Sequence, residues 1–114
     1  MLPKLLTEFV GTFFLVLTIG LTTWIGVDLA PLAIAAVLLG MIYMGGPVSG
    51  AHYNPAVTLA IWIRGAIPTR EVLPYVAAQV GAALAAALVV YVVNDRPLLV
   101  GPAEEAGPFE FFLL

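Results

Sequence analysis

Hydrophobic residues gather along this chain in three long runs, separated by short stretches that are polar or rich in glycine and proline. The first run covers about residues 5–27 and the third about 70–93. Each is long enough to cross a hydrocarbon core of about 30 Å as a helix. The middle run, about residues 31–44, is shorter, but tilting or continuation inside the protein can extend it. The pattern therefore predicts an all-α membrane protein with three transmembrane helices.

Between the second and third runs, residues 45–63 form an apolar segment that is interrupted near its start. Three glycines and a proline within its first six positions favour turns, so we expect residues 45–50 to be non-helical. Asn54 and Pro55 then mark the start of a helix, as its N-cap and its first residue. Because this helix would rise only about 13 Å by Ile63, the segment predicts a re-entrant loop followed by a half-helix.

A half-helix of this kind places its N-terminus near the middle of the membrane. The free N–H groups of its first turn and the helix dipole make that end positive. Non-helical backbone at such a depth is tolerated only against protein or beside a water-filled cavity. The sequence thus predicts a pore or a binding site at Asn54.

Composition narrows the class of function. Of the 114 residues, 62% are hydrophobic and only 10% are charged, whereas soluble domains carry about 25% charged residues. The expected partner of the surface is therefore membrane lipid. The net charge of −3 argues against a nucleic-acid partner. With no cysteine, one histidine and few carboxylates, we expect no protein-built metal site. A pore that orients its solute by hydrogen bonds needs no catalytic residues and no cofactor.

Ten residues at the start of the half-helix carry a family resemblance. Residues 49–58 read Ser-Gly-Ala-His-Tyr-Asn-Pro-Ala-Val-Thr. They resemble the first signature loop of the aquaporin (major intrinsic protein) family, whose hallmark triplet stands here at residues 54–56. Residues 8–12 and 75–79 resemble segments of the family's first and third helices. The resemblance implies a passive channel, not an enzyme, for water or for small neutral solutes such as glycerol.

The resemblance also implies which residues line the path. The amide of Asn54 would cap the half-helix with its oxygen and donate to the solute with its NH₂, while the carbonyls of residues 50–53 would accept. A second-helix position that is often aromatic in water-selective members falls at Ile34, which would widen or de-polarise the constriction. The expected pore-lining residues are Ile34, Gly50, Ala51, His52, Tyr53, Asn54, Pro55 and Ala56.

Three polar residues in the apolar segments are open to more than one interpretation. Glu8 is either an interfacial carboxylate favoured by the helix dipole, or a buried acid that accepts hydrogen bonds from the loop. Gln79 makes either an unspecific interhelical hydrogen bond or a bond that supports the loop backbone. The resemblance favours the loop-supporting role for both. His52 is either structural, bonded to Glu8 or to backbone, or it lines the constriction or responds to pH.

The resemblance covers only the first of the family's two inverted repeats. We expect residues 1–93 to form this repeat, 94–108 an extramembrane loop and 109–114 the start of a truncated fourth helix. A complete pore would then need the missing second repeat or an inverted second copy in a homo-oligomer. The alternative is a non-conducting membrane fragment.

The basic residues predict an orientation. Lys4, Arg64 and Arg70 flank the predicted helices on one side, and only Arg96 lies on the other. By the positive-inside rule the N-terminus is cytoplasmic, and the chain is a multi-pass protein of an inner or plasma membrane.

Small residues in the third run predict how its helix packs. Ala77, Gly81 and Ala85 are spaced four apart and would form one face. Such faces let helix backbones approach closely in a membrane. We therefore expect this face to make a tight contact with a neighbouring helix, and to meet lipid in a lone copy of the chain.

Overall fold

The computed structural model describes residues 1–96, which form four helices joined by short connections. They are α1 (Leu2–Trp24), α2 (Ala30–Ser49), α3 (Pro55–Ile63) and α4 (Thr69–Asn94). Helices α1, α2 and α4 are long and apolar enough to cross a membrane, whereas α3 has only 9 residues. The predicted all-α membrane fold is confirmed over these residues. The predicted fourth helix at 109–114, and the loop from residue 97 onwards, lie outside the described residues.

Helix α1 packs against both α2 and α4, and α3 packs on α4. In α1, Gly20 leaves room for the side chain of Val90, which would overlap a Cβ at that position. The residues of α4 that are buried recur every three or four positions, as a helix of 3.6 residues per turn requires. They are Glu71, Tyr75, Gln79, Ala82, Ala86 and Val90.

The small-residue face predicted on the third transmembrane helix is not the face that packs within this chain. Ala77 is exposed, and Gly81 and Ala85 are only half-buried. The face that packs is set instead by Tyr75 and Gln79, which have polar partners inside the protein. Small-residue spacing alone could not distinguish this face from its neighbour.

Helix α2 continues through residues 45–49, so the expectation of non-helical backbone there is wrong. Pro47 removes one donor from the helix, and a membrane helix tolerates this. Gly45 is required for packing rather than for a turn, because a Cβ there would overlap the hydroxyl of Tyr53. The turn needs only Gly50, whose φ of 88° ends α2 in the left-handed conformation.

Helix α3 spans Pro55–Ile63, the bounds that the sequence predicted. Asn54 precedes it with extended backbone, and its Oδ1 accepts a hydrogen bond of 2.8 Å from the N–H of Ala56. At the other end, Trp62 Nε1 donates to Thr69 Oγ1 over 2.9 Å. This bond joins the end of α3 to the first residue of α4.

Candidate functional site

The backbone between α2 and α3 turns its N–H groups to one side. Gly50, Ala51 and Tyr53 have φ values of 88°, 52° and 52°. Left-handed backbone is uncommon for residues other than glycine and costs free energy, so other contacts have to hold it. The N–H of Ala51 donates to Ser49 Oγ over 3.1 Å. Among the described residues, the carbonyls of residues 50–53 accept no hydrogen bond.

Glu8 receives the next two N–H groups of the loop. It lies in α1 and is fully buried. Its Oε1 accepts from the N–H of His52 (2.9 Å) and from Ser49 Oγ (2.7 Å). Its Oε2 accepts from the N–H of Tyr53 (2.7 Å) and from Gln79 Nε2 (2.9 Å). One buried carboxylate thus joins α1, the end of α2, the loop and α4.

Gln79 continues this network towards α3. Its Nε2 also donates to Thr58 Oγ1 over 2.9 Å, and Thr58 Oγ1 lies 3.1 Å from Nδ1 of His52. Both Gln79 and Thr58 are fully buried, and His52 is buried. The side chain of His52 therefore meets Thr58, while only its backbone N–H meets Glu8.

Two tyrosines fix the loop from opposite sides. The ring of Tyr53 is buried against Gly11 and Gly45, and its hydroxyl donates to the carbonyl of Met41 over 2.6 Å. Only the backbone of Tyr53 is therefore placed to face a pore. Tyr75 packs beside the ring of His52, with centroids 5.0 Å apart, and its hydroxyl donates to the carbonyl of Ser49 over 2.8 Å.

The hallmark triplet lies on the open side of the loop. Asn54 and Ala56 are exposed, and Pro55 is half-buried. Asn54 Oδ1 accepts from the N–H of Ala56, and the NH₂ of Asn54 has no partner among the described residues. Ile34 lies in α2, 15 residues before Ser49, and is half-buried.

A cavity of about 410 Å³ opens beside the loop. Gly50, His52 and Tyr75 line it on the loop side, and Lys4 and Arg64 also line it. Lys4 pairs with Glu71 over 3.1 Å, linking the first turns of α1 and α4. The cavity therefore lies on the side of the protein where the predicted cytoplasmic charges stand.

Sequence reasoning missed Ser49, Thr58 and Tyr75 as parts of this site. Each is a polar residue that lies next to apolar residues in a membrane segment, which is a usable signal. Ser49 and Thr58 stand inside the ten-residue segment that carries the family resemblance, and Tyr75 stands four residues before Gln79.

Comparison with known proteins agrees with the geometry. Residues 1–108 match the family described as "Major intrinsic protein". The chain is 47% identical over 92 residues to a "Probable aquaporin AqpM" of Archaeoglobus fulgidus, with 79% of this chain and 36% of that protein covered. It is 38% identical over 102 residues to an "Aquaporin Z" of Brucella melitensis, with 82% of this chain and 45% of that protein covered.

A third relative gives the same result. The chain is 40% identical over 108 residues to an "Aquaporin Z" of Photorhabdus laumondii, with 82% of this chain and 44% of that protein covered. The chain thus spans less than half the length of each of these three relatives. The family match over residues 1–108 contains all four helices described above.

Proposed function

Because this chain belongs to the major intrinsic protein family, whose aquaporins are membrane channels and not enzymes, we propose that it forms half of a passive channel. The solute is water or a small neutral molecule such as glycerol. The observation that carries the proposal is the free NH₂ of Asn54, held by the cap of α3 next to four carbonyls that have no partner among residues 1–96.

The proposed path uses donors and acceptors in alternation. The NH₂ of Asn54 donates to the oxygen of a solute at the N-terminus of α3, and the carbonyls of residues 50–53 accept from its hydroxyl hydrogens. The N-terminus of α3 is positive, which disfavours protons and cations at the same point. Water or a small alcohol satisfies both kinds of group without any covalent step.

Glu8 and Gln79 support the loop in this proposal. The carbonyls of residues 50–53 can face the path only if the N–H groups of the same residues face away from it. Glu8 binds two of those N–H groups, and Gln79 holds the carboxylate in place. Neither side chain then touches the solute.

The exposed polar groups on the open side of the loop favour a complete pore in which a second segment of protein covers them. Helix α3 packs against α4, while Asn54 and Ala56 stay exposed. In a bilayer an uncovered amide and uncovered carbonyls would each cost several kcal/mol. We propose that a second repeat covers them, or else an inverted second copy of this chain. A chain that obtains neither is a non-conducting membrane fragment.

The orientation is part of the same proposal. Lys4 and Arg64 line one cavity, and Arg70 lies in the first turn of α4 on that side. By the positive-inside rule these charges are cytoplasmic, and so is the N-terminus. Cysteines are introduced singly at positions 2 and 95, and an impermeant thiol reagent is added to intact cells. The cysteine at position 95 should be labelled, and the one at position 2 should be protected.

Water permeability tests the function directly. The 114-residue chain is reconstituted in vesicles, crosslinked, and measured by osmotic shrinkage alongside Asn54→Ala. We expect a several-fold loss of permeability in Asn54→Ala, since the pore donor and a cap of about 0.5–2 kcal/mol disappear together. Ile63→Ala is the matched control, because Ile63 is 79% exposed at the far end of α3.

Each outcome has a distinct meaning. Equal permeability of Asn54→Ala and the unmodified chain, per inserted molecule, would show that Asn54 does not line the path. Flux from a crosslinked antiparallel dimer would identify the second copy as the missing element. High flux from a monomer would contradict the need for any second element.

A further inference from the structure

Thr58 differs from four threonines of α1 in the partners of its hydroxyl. In α1, the hydroxyls of Thr7, Thr18, Thr22 and Thr23 all donate to a carbonyl four residues earlier in their own helix. The hydroxyl of Thr58 makes no such bond. Its neighbours are instead Gln79 Nε2, at 2.9 Å, and His52 Nδ1, at 3.1 Å.

The direction of the first bond follows from the carboxylate of Glu8. The same nitrogen of Gln79 lies 2.9 Å from Glu8 Oε2 and 2.9 Å from Thr58 Oγ1. An ionised carboxylate only accepts hydrogen bonds, so the group beside it is the NH₂ of Gln79 and not its oxygen. Thr58 Oγ1 therefore accepts from Gln79.

The direction of the second bond follows from the first. A threonine hydroxyl has one proton. With Gln79 Nε2 acting as a donor, His52 Nδ1 is the acceptor within reach of that proton among the described residues. A neutral imidazole has one donor and one acceptor nitrogen. If Nδ1 accepts from Thr58, the ring proton is on Nε2.

His52 Nε2 is the ring nitrogen that lies beside Gly50, and both residues line the cavity. It has no hydrogen-bond partner among residues 1–96 and is not one of their fully buried unpaired polar atoms. A proton on this nitrogen is therefore offered to whatever occupies the cavity.

We propose that Thr58 is a positioning residue, which holds His52 in the tautomer with its proton on Nε2. Four residues of the loop, 50–53, present carbonyl oxygens that have no partner among residues 1–96. The ring then supplies a hydrogen-bond donor near those acceptors, in addition to the NH₂ of Asn54. The role of this donor in solute passage rests on the proposed channel function. The assignment of the tautomer does not depend on that function.

Nitrogen NMR tests the tautomer without any transport assay. The chain has a single histidine, so ¹⁵N-histidine labelling of protein purified through a histidine-free tag reports only this ring. The buffer is alkaline enough that the imidazole is neutral. We expect the proton on Nε2, and an Nδ1 resonance that is displaced by a hydrogen bond.

Substitutions at position 58 then test whether the hydroxyl of Thr58 causes the displacement of the Nδ1 resonance. Thr58→Val keeps the shape and removes the hydroxyl, so the Nδ1 resonance should move, and Thr58→Ser should restore it. Thr18→Val is the control, because that hydroxyl bonds its own helix. A proton on Nδ1 in the unmodified chain would overturn the proposal, and so would an Nδ1 resonance unchanged by Thr58→Val.

The design separates this proposal from the channel function. If Thr58→Val does not fold, the spectra of the unmodified chain and of Thr58→Ser still decide where the proton is. A proton on Nδ1 in a chain that conducts water would overturn only the role of Thr58. The expected spectra in a chain that conducts in no assembly would leave Thr58 as assigned and contradict the channel function.

Discussion

The N–H groups and the carbonyl groups of residues 50–53 lie in contrasting surroundings. On the inner side, the N–H groups of Ala51, His52 and Tyr53 all bind Ser49 or Glu8, which are buried. On the outer side, the carbonyls of the same residues and the NH₂ of Asn54 have no partner among residues 1–96. The same short backbone is thus fully satisfied on one side and open on the other.

This difference separates stability from transport in physical terms. A buried, charge-assisted hydrogen bond contributes to folding, because its loss leaves a donor without an acceptor inside the protein. A free carbonyl or amide at a water-filled cavity contributes to solute binding instead. We therefore expect substitutions on the inner side to change folding, and substitutions on the outer side to change permeability.

The largest expected effect is that of Glu8→Gln on folding. The amide NH₂ would replace one carboxylate oxygen, and each oxygen now accepts from two donors. With charge-assisted bonds at about 1.5–3 kcal/mol each, the loss of one pair is expected to cost several kcal/mol. The measurement is the yield of folded protein in detergent and its unfolding midpoint.

The matched control for Glu8→Gln is Glu71→Gln. Glu71 is also a buried carboxylate in a membrane helix, but the bond that the structure gives its side chain is with Lys4. Glu71→Gln should therefore lower the folding stability less than Glu8→Gln does. If Glu8→Gln folded normally but no longer supported water flux, the assignment of the inner side to folding and the outer side to transport would be contradicted.

A second pair of variants tests the packing under the inner side. Gly45 and Gly46 are neighbours in α2, but a Cβ on Gly45 would overlap the hydroxyl of Tyr53, and one on Gly46 would meet no atom within 4 Å. Gly45→Ala is expected to cost about 1–3 kcal/mol through overpacking. Gly46→Ala is expected to gain up to about 1 kcal/mol from helix propensity. Thermal unfolding in the same detergent measures both.

This pair also has an outcome that would count against the assigned role of Tyr53. If Gly45→Ala were as stable as Gly46→Ala, the ring of Tyr53 would not be held against α2. The loop would then depend on Glu8, Ser49 and Tyr75 for its left-handed backbone.

The sequence predicted much of the frame and part of the site. Runs of apolar residues located the membrane helices, and the Asn54-Pro55 pair located the start of α3. The predicted end of α2 was wrong, because Pro47 was interpreted as a helix breaker, whereas a membrane helix accommodates it.

The network behind the loop could be predicted only in part. Glu8 and Gln79 stand out as polar residues in apolar runs, so contact with the loop was one of two interpretations. Thr58 and His52 meet because Ala51 and Tyr53 adopt left-handed backbone, which the propensities of alanine and tyrosine do not favour. Their contact is therefore a property of the folded loop and not of the local sequence.

The smallest expected effect is that of the ion pair between Lys4 and Glu71, which joins α1 to α4 without a bond to the loop. The atoms lie 3.1 Å apart, but the side chain of Lys4 is 41% exposed. Solvent and salt screen such a pair, so its coupling is expected to be about 0–1 kcal/mol. A double-mutant cycle with Lys4→Met and Glu71→Gln, followed by unfolding at low and high salt, measures this coupling.

The expected coupling is small and falls as salt is added. A coupling as large as the loss in Glu8→Gln would show that polar stabilisation of the fold is not concentrated on the inner side of the loop.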